Sequence, residues 1–511
     1  MSNKYLELLD LPTFKENIVK KIQDLLEEHK DNTRHVPDGG NPANFLGLNE
    51  EGVPAWIELN KSWFVTYTGD TTTSVDLSEQ FMDEWSYGVE FPEGTISTPN
   101  KLTRIGKSEY HKTLPIQSNL RGCVEQNGVV QYYLNEKDWT ADTKDFDGNV
   151  ITPRLDGYDG DVAIDTLRDF YINFRVVTKT DGVKYRQVRI SYTKFNDNWI
   201  KVPRKLLHAF RASRLREIPS DMGWLSKQSV NTLVSVCNTG TYLRGGKYDN
   251  DTTQITWDEY LESNPAKCML GKPVSYISMS TGRIGLGYTD HHIMSYSEYT
   301  YIICWLYIIE YASFYSQETY NSQSTTDGYK QGGLGAGVTD LSSTNWSNLN
   351  SYYPVTPNGY TNDLGNGTGI KALKYTVSDK EYTTYVCRWR GFENPFGDTW
   401  QFVDGVMCHK NAVTTDSTTT YPTSTWYICD DPTYFTSSTN LSAYDNIYWR
   451  KVECPINSSG WPNNFFFGSD PTPDSSNDQI TIGGWFGDLI PISLGGSAST
   501  GTTDYFYTSN N

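Results

Sequence analysis

Apolar positions between residues 13 and 29 recur with a helical period. Phe14, Ile18, Ile22, Leu25 and Leu26 share one face, the opposite face is charged, and Thr13 with Glu16 forms a capping-box pattern just after Pro12. The spacing predicts an amphipathic helix, and such a helix needs a groove or copies of itself to cover its apolar stripe. Periodicity is lost over residues 31–50, where Gly, Pro and Asn read as a linker. From Trp56 to about residue 150 short alternating runs take over, such as Trp63–Thr68 and Val129–Leu134, with turns at Gly69-Asp70 and Asn127-Gly128. Period two returns in Phe170–Val177 and Tyr185–Tyr192, which read as a hairpin joined through Asp181-Gly182. The most apolar run, Ile302–Ile309 with Tyr299 and Tyr311 at its flanks, is too short to span a bilayer. It predicts a buried helix from Tyr299 to Phe314 with Trp305, Ile308, Ile309 and Ala312 facing inward. Beyond residue 316 Gly, Ser, Thr, Asn and Tyr dominate, and regularly placed tryptophans (among them Trp346, Trp389, Trp400, Trp426 and Trp449) argue for ordered loops on a small core.

The densest stretch is Trp389–Gly405, where large aromatics lie among acidic residues, and Gly397 and Gly405 punctuate the run Thr399–Val403. Those residue types suit a buried aromatic plug closed by sharp turns, and suit neither a phosphate loop nor a metal knuckle.

Composition narrows the class. The chain has 511 residues, a formal net charge of −18, 20% charged and 14% aromatic residues, and 36 tyrosines. That mixture fits a β-rich, loop-rich extracellular or virion protein, and resembles the Tyr, Ser, Gly and Asn palette of adaptable binding surfaces. The acidic balance argues against nucleic acid and against an anionic membrane as partners. The 8 cysteines include no CxxC pair, so they read mostly as free buried thiols made in a reducing compartment, with one disulfide left open. The N-terminal residues Met1–Pro12 carry no signal-peptide pattern, so release by lysis is the expected route to the outside.

Candidate chemistry is sparse. Gly332–Asp340 lacks the Gly-Lys-Ser/Thr ending of a nucleotide loop and reads as a structural loop. His291 and His292 are adjacent and diverge on either a strand or a helix, and His29, His35, His111, His208 and His409 show no ligand spacing, so no metal centre is expected. Asp340, Asp363, Asn366, Asp398 and Asp404 supply oxygen atoms that would suit a structural calcium ion, without an EF-hand pattern, and no other cofactor is expected. No Gly-x-Ser-x-Gly elbow occurs, and spacing selects no glycosidase pair among the carboxylates.

Two resemblances extend this reading. Phe392–Gly405 resembles the aromatic signature of the formylglycine-generating-enzyme type of C-type lectin fold, with Gly397 before Trp400 and Phe402 in its two aromatic positions. Leu306–Gln317 resembles that fold's helix, where Glu310, Tyr311 and Ala312 match its Glu-Tyr-Ala centre. The chain also resembles large structural proteins of gut Bacteroides phages, crAss-like phages included, through Thr103–Cys123, Tyr329–Thr339, Asn358–Gly369, Trp389–Gly405 and Asp504–Thr508. Formylglycine-generating enzymes work through a C-terminal cysteine pair. Here the last cysteine is Cys454 and no close pair follows it, so the resemblance does not carry oxidase activity.

Together these readings predict an α+β protein. Residues 1–40 are expected as a helical attachment segment, 41–150 as a β-rich spacer, and 151–511 as a C-type-lectin-like domain with long irregular loops. Trp400, Phe402, Glu310 and Tyr311 are expected in its core, and no catalytic residue is assigned. The resemblance implies a non-enzymatic head or tail fibre or decoration protein, assembled in the host cytoplasm into a virion. Its implied partners are other virion proteins, copies of itself with a trimer favoured, and a host-surface polysaccharide or protein. Tyr352, Tyr353, Tyr360, Trp426, Trp461 and Trp485, in polar Gly/Pro-flanked surroundings, are the candidate sugar-stacking residues. The rival readings are a structural connector without a receptor and a glycan-processing enzyme.

Overall fold

A computed structural model describes residues 44–48, 54–58, 77–92, 98, 100–210, 213–214, 223–228, 233–237, 291–314, 316, 320, 325–334, 358–377, 380–395, 400–416, 418–429, 449–455, 480–486, 503–505 and 507–509. The chain divides into two units, Met1–Val65 and Thr66–Asn511. In the first, β1 (Asn44–Leu48) and β2 (Pro54–Glu58) form an antiparallel hairpin with Phe45 opposite Ile57 and Leu46 opposite Trp56. This corrects the linker reading of residues 31–50: the short run Phe-Leu-Gly-Leu finds a cross-strand partner that local composition concealed. The expected helix over 13–29 and strand over 63–68 lie outside the described residues.

The second unit is built on antiparallel sheets. One has the order β12 (Trp199–Val202), β10 (Phe170–Thr178), β11 (Lys184–Ser191), β3 (Tyr87–Pro92), β4 (Thr103–Gly106). Another runs β16 (His291–Ile293), β25 (Tyr507–Ser509), β13 (Leu206–His208), β9 (Asp161–Asp165), β5 (Arg121–Gln126), β6 (Val129–Tyr133). Both sheets interleave strands from before and after residue 150, so the spacer boundary expected there runs through shared sheets. Two hairpins match the alternation in the sequence. β5 and β6 are joined by Asn127 (φ 52°) and Gly128 (φ 82°), the positive-φ pair that matches the twist of a tight hairpin. β10 and β11 pair from Tyr171–Ser191 to Thr178–Lys184, with Gly182 at φ 78° in the loop.

A third sheet joins β17 (Gly369–Val377), β18 (Lys380–Trp389) and β19 (Phe392–Glu393), turning at Arg390 (φ 51°) and Gly391 (φ 91°). A fourth has β22 (Trp449–Pro455), β21 (Thr418–Cys429), β20 (Trp400–Thr415) and β23 (Ile480–Phe486), with β24 (Thr503–Tyr505) parallel to the start of β20. Two short pairs complete the strands: β7 (Thr143–Lys144) with β8 (Val150–Ile151), and β14 (Ser213–Arg214) with β15 (Leu233–Val234). The plug reading needs correction here. Gly405 lies inside the 16-residue strand β20 rather than at a turn, and the pairing with β23 shifts register between Val403 and Met407. A glycine that reads as a stop accommodates an irregularity within the strand.

The apolar run forms the central helix, in two parts. A π-helical segment, Glu298–Cys304, leads into α-helix Trp305–Tyr311. Its start is fixed by a reciprocal capping box: Ser295 N–H donates to Glu298 Oε2 at 2.8 Å, and Glu298 N–H donates to Ser295 Oγ at 3.2 Å. Ala312 at φ 49° ends it, two residues short of the expected Phe314. Every residue from Glu298 to Tyr311 is buried, as befits a helix apolar on nearly all sides. Phe91 and Phe174 of the first sheet pack against Trp305, and Tyr307 meets Trp389 edge-on at 5.9 Å. Helix, sheets and Trp389 therefore share one core. Ile302, Ile303 and Ile309 are fully buried in it, each contributing about 2 kcal/mol.

Candidate functional site

The blocks that carry the phage resemblance meet in space. Asn366, in the block Asn358–Gly369, accepts the Gly122 N–H at 3.0 Å and the Trp139 indole N–H at 2.9 Å, reaching 244 residues back along the chain to Gly122. Arg104 donates to the carbonyls of Glu310 (3.3 Å) and Lys330 (2.5 Å), tying the first block to the central helix and to the glycine loop. Gly391 is packed so closely that a Cβ would stand 2.5 Å from Ile164 Cδ1 and 3.0 Å from Trp139. Only glycine serves at this positive-φ position.

Glu310 is the buried hub. Its Oε2 accepts from Trp389 Nε1 and Arg390 Nε, each at 3.0 Å, and its Oε1 accepts from Arg390 Nη2 at 2.8 Å. Burial pulls the Arg390 guanidinium down, and Glu310 more than reverses that, leaving it raised. Tyr311 beside it is buried too. The side chains of Trp400 and Phe402 lie outside those described. A second network surrounds Glu393, which accepts from the N–H groups of Gly359 (2.8 Å) and Thr361 (2.9 Å) and from the Thr361 hydroxyl (2.5 Å). Arg388 donates to Gly365 O (2.7 Å) and Thr361 Oγ1 (3.1 Å) and lies 3.8 Å over the Trp139 ring. Burial lowers Arg388 to about 10 and raises Glu393, with the two charges opposing both shifts.

A different group lies on the six-stranded sheet. Glu125 of β5 and Asp161 of β9 are register partners, and His208 of β13 sits opposite Ala163 of β9. His208 Nε2 is 3.2 Å from Glu125 Oε1 and 3.9 Å from Asp161 Oδ2, and all three side chains are buried. Backbone donors hold the outer oxygens: Gly128 N–H on Glu125 Oε2 at 2.8 Å, and Ser235 N–H on Asp161 Oδ1 at 2.6 Å. Burial first, and the Glu125 charge second, push the Asp161 carboxyl well above the ordinary range. Four residues along β9, Asp165 is served otherwise, by an Arg204 fork at 2.8 and 2.5 Å and by the Tyr133 hydroxyl at 2.8 Å. Sequence reading missed the trio because each member comes from a different strand. The available signal was an acid within each of two buried strands, Glu125 in Arg121–Gln126 and Asp161 in Asp161–Asp165.

The surface candidates are scattered. Tyr360 is half-buried, donates its hydroxyl to Ala372 O at 2.8 Å, and lies 4.9 Å under Lys371 Nζ, which also pairs with Asp363 at 3.0 Å. Trp426 and Trp485 lie on β21 and β23, opposite Cys408 and Phe402 respectively. Tyr352, Tyr353 and Trp461 lie outside the described residues. Of the expected calcium ligands, Asn366 and Asp363 serve the protein donors already given. Asp340 and Asp398 lie outside the described residues, as does the side chain of Asp404. A cavity of about 140 Å³ opens between Phe91, Phe174, Val176, Trp305, Arg175 and Arg186, with Val176 49% exposed at its rim. Cys123, Cys237, Cys304, Cys387 and Cys429 are buried and form no disulfide. Among the described residues no helix is long and apolar enough to cross a membrane. Comparison with protein-family models, with curated proteins and with solved structures finds no match.

Proposed function

We propose that this chain is a non-catalytic structural protein of a phage particle, a head or tail fibre or decoration protein. It attaches to other virion proteins and contacts a host-surface glycan. The carrying observation is the convergence of the resemblance blocks around Trp139, Asn366 and Glu310, which supports reading those motifs as the skeleton of a rigid display scaffold. The networks around Glu310 and Glu393 support structural over catalytic use of these carboxylates, since both accept from fixed neighbouring donors. The C-type-lectin-like core belongs to the same proposal. The cavity beside Phe91, Phe174 and Trp305, rimmed by Arg175 and Arg186, has room for one ring-sized group, which the rim arginines could hydrogen-bond while Phe91 and Trp305 stay buried behind it.

The connector reading has one specific observation in its favour: Tyr360 is already engaged by β17, through Ala372 O and Lys371. Two measurements separate the readings. Antibody labelling of intact particles is expected to decorate a discrete head or tail structure, and absence of the chain from purified particles overturns the proposal. A glycan array probed with the purified chain is expected to show selective binding that falls on Arg186→Ala, a rim residue, in protein that remains folded. A flat array with particle labelling retained leaves the connector.

A further inference from the structure

We infer that Glu125, Asp161 and His208 form a binding site for one divalent transition cation of the zinc class, and that the ion ties β5, β9 and β13 together. Three features of the trio carry this, and none depends on the virion reading.

The first is ligand chemistry. One imidazole and two carboxylates are a donor set that zinc-class cations accept, whereas a calcium site is built from oxygen alone. The second is spacing. Bonds of about 2.0–2.2 Å in a tetrahedral shell put neighbouring ligand atoms roughly 3.3–3.6 Å apart. The observed separations of 3.2 and 3.9 Å bracket that edge, and the three ligand atoms all lie within 4.8 Å of one another. Small side-chain adjustments would close the shell, and a solvent molecule would supply a fourth position.

The third is the outer shell. Each carboxylate has one oxygen held by a backbone N–H, from Gly128 or Ser235, so its other oxygen is turned toward His208 Nε2. Second-shell donors orient metal-binding carboxylates in this way. The contrast with Asp165 on the same strand strengthens the case: there the fold supplies an Arg204 fork to neutralise the acid. At Asp161 one oxygen takes the Ser235 N–H, and a second acid and an imidazole lie beside the carboxylate. A dication would balance the two carboxylates, and imidazole would bind it as the neutral base. All three residues are buried, so the ion would bridge the strands away from bulk solvent.

The test uses the full chain, stripped with a chelator and then offered zinc chloride, with metal content measured after gel filtration. One tightly held zinc per chain is expected, with a rise in the thermal midpoint that the chelator reverses. Asp161→Asn is nearly isosteric and keeps an oxygen for the Ser235 N–H. That variant and His208→Gln, each checked for folding by circular dichroism, are expected to lose the ion at least tenfold. The double variant His291→Ala with His292→Ala is expected to retain it. X-ray absorption on zinc-loaded parent protein needs no variant, and is expected to show a nitrogen and oxygen shell with a single imidazole. Failure of the parent chain to hold zinc, retention by folded Asp161→Asn, or a shell containing sulfur or several imidazoles overturns the assignment.

Discussion

Two buried polar regions of the same unit treat charge in opposite ways. Around the central helix donors abound: Glu310 is met by Arg390 and Trp389, and Arg104 caps the helix carbonyl of Glu310. The nearby His111 feels the charges of Arg104 and Arg189. On the six-stranded sheet two carboxylates converge on one imidazole. Thus the two buried histidines among the described residues stand in opposite fields, His111 among cations and His208 between acids. The difference sets a charge pair closed within the fold against a cluster that, on the zinc proposal, admits a charge from outside. A satisfied pair is scaffold, whereas a cluster whose own acids outnumber its bases is disposed toward protons or a metal.

The largest effect should come from breaking the scaffold side. Trp389 is fully buried, donates to Glu310, stacks on Phe392 at 6.1 Å and meets Tyr307. Trp389→Ala is expected to cost about 4 kcal/mol through lost burial and the cavity left behind. Equilibrium denaturation measures it, and a cost below about 1 kcal/mol would remove Trp389 from the centre of the core. Next in size is Glu310→Gln, which leaves the Arg390 guanidinium buried without its counter-charge and is expected to cost about 3 kcal/mol. The double replacement Glu310→Met with Arg390→Met removes both charges and should recover much of that loss. If it recovers none, the hub acts through shape rather than charge balance.

The histidines sharpen the contrast through pH. Burial first, then Arg104 and Arg189, lower His111 from 6.5 to about 4, against the Ile105 carbonyl 2.9 Å from its Nε2, which favours protonation. A base whose folded pKa lies below its unfolded value binds fewer protons when folded. Its stability contribution is therefore complete above pH 6.5 and lost as pH falls from 6.5 through about 4. The loss should total roughly 3 kcal/mol. Urea denaturation midpoints across that window should fall in the parent chain and fall less in His111→Gln. Equal slopes in the two proteins would show that the acid limb arises elsewhere.

Legibility in the sequence divides along the same line as the physics. The hairpins at Asn127-Gly128 and around Asp181-Gly182 were readable because alternation and turn residues act locally. The core helix was readable because a short, wholly apolar run has few other places to go. Its earlier start was legible in principle, since Ser295 and Glu298 spell a capping box, but adjacent Ser297 offered a competing start. The insertion of β3 beside β11, and of β25 between β13 and β16, is non-local pairing that no short pattern encodes. Gly405 misled because glycine marks both turns and strand irregularities. Glu310 was found through its helix motif, whereas Asn366, the pin between Gly122 and Trp139, stood out only as one oxygen donor among several. Glu125, Asp161 and His208 become a cluster only when three strands are in register.

The smallest effect is the most discriminating. In metal-free protein Asp161→Asn removes one of two mutually repelling buried carboxylates and keeps an oxygen for the Ser235 N–H, while its new amide offers a donor toward Glu125 and His208. The expected change is within about 1 kcal/mol and toward greater stability, opposite in sign to the loss of the acid at Glu310. Saturating zinc should then raise the thermal midpoint of the parent chain and leave that of the variant where it was. If Asp161→Asn instead costs as much as Glu310→Gln in metal-free protein, Asp161 is held by donors as the hub is. The two regions would then follow one rule, and the contrast drawn between them would fail.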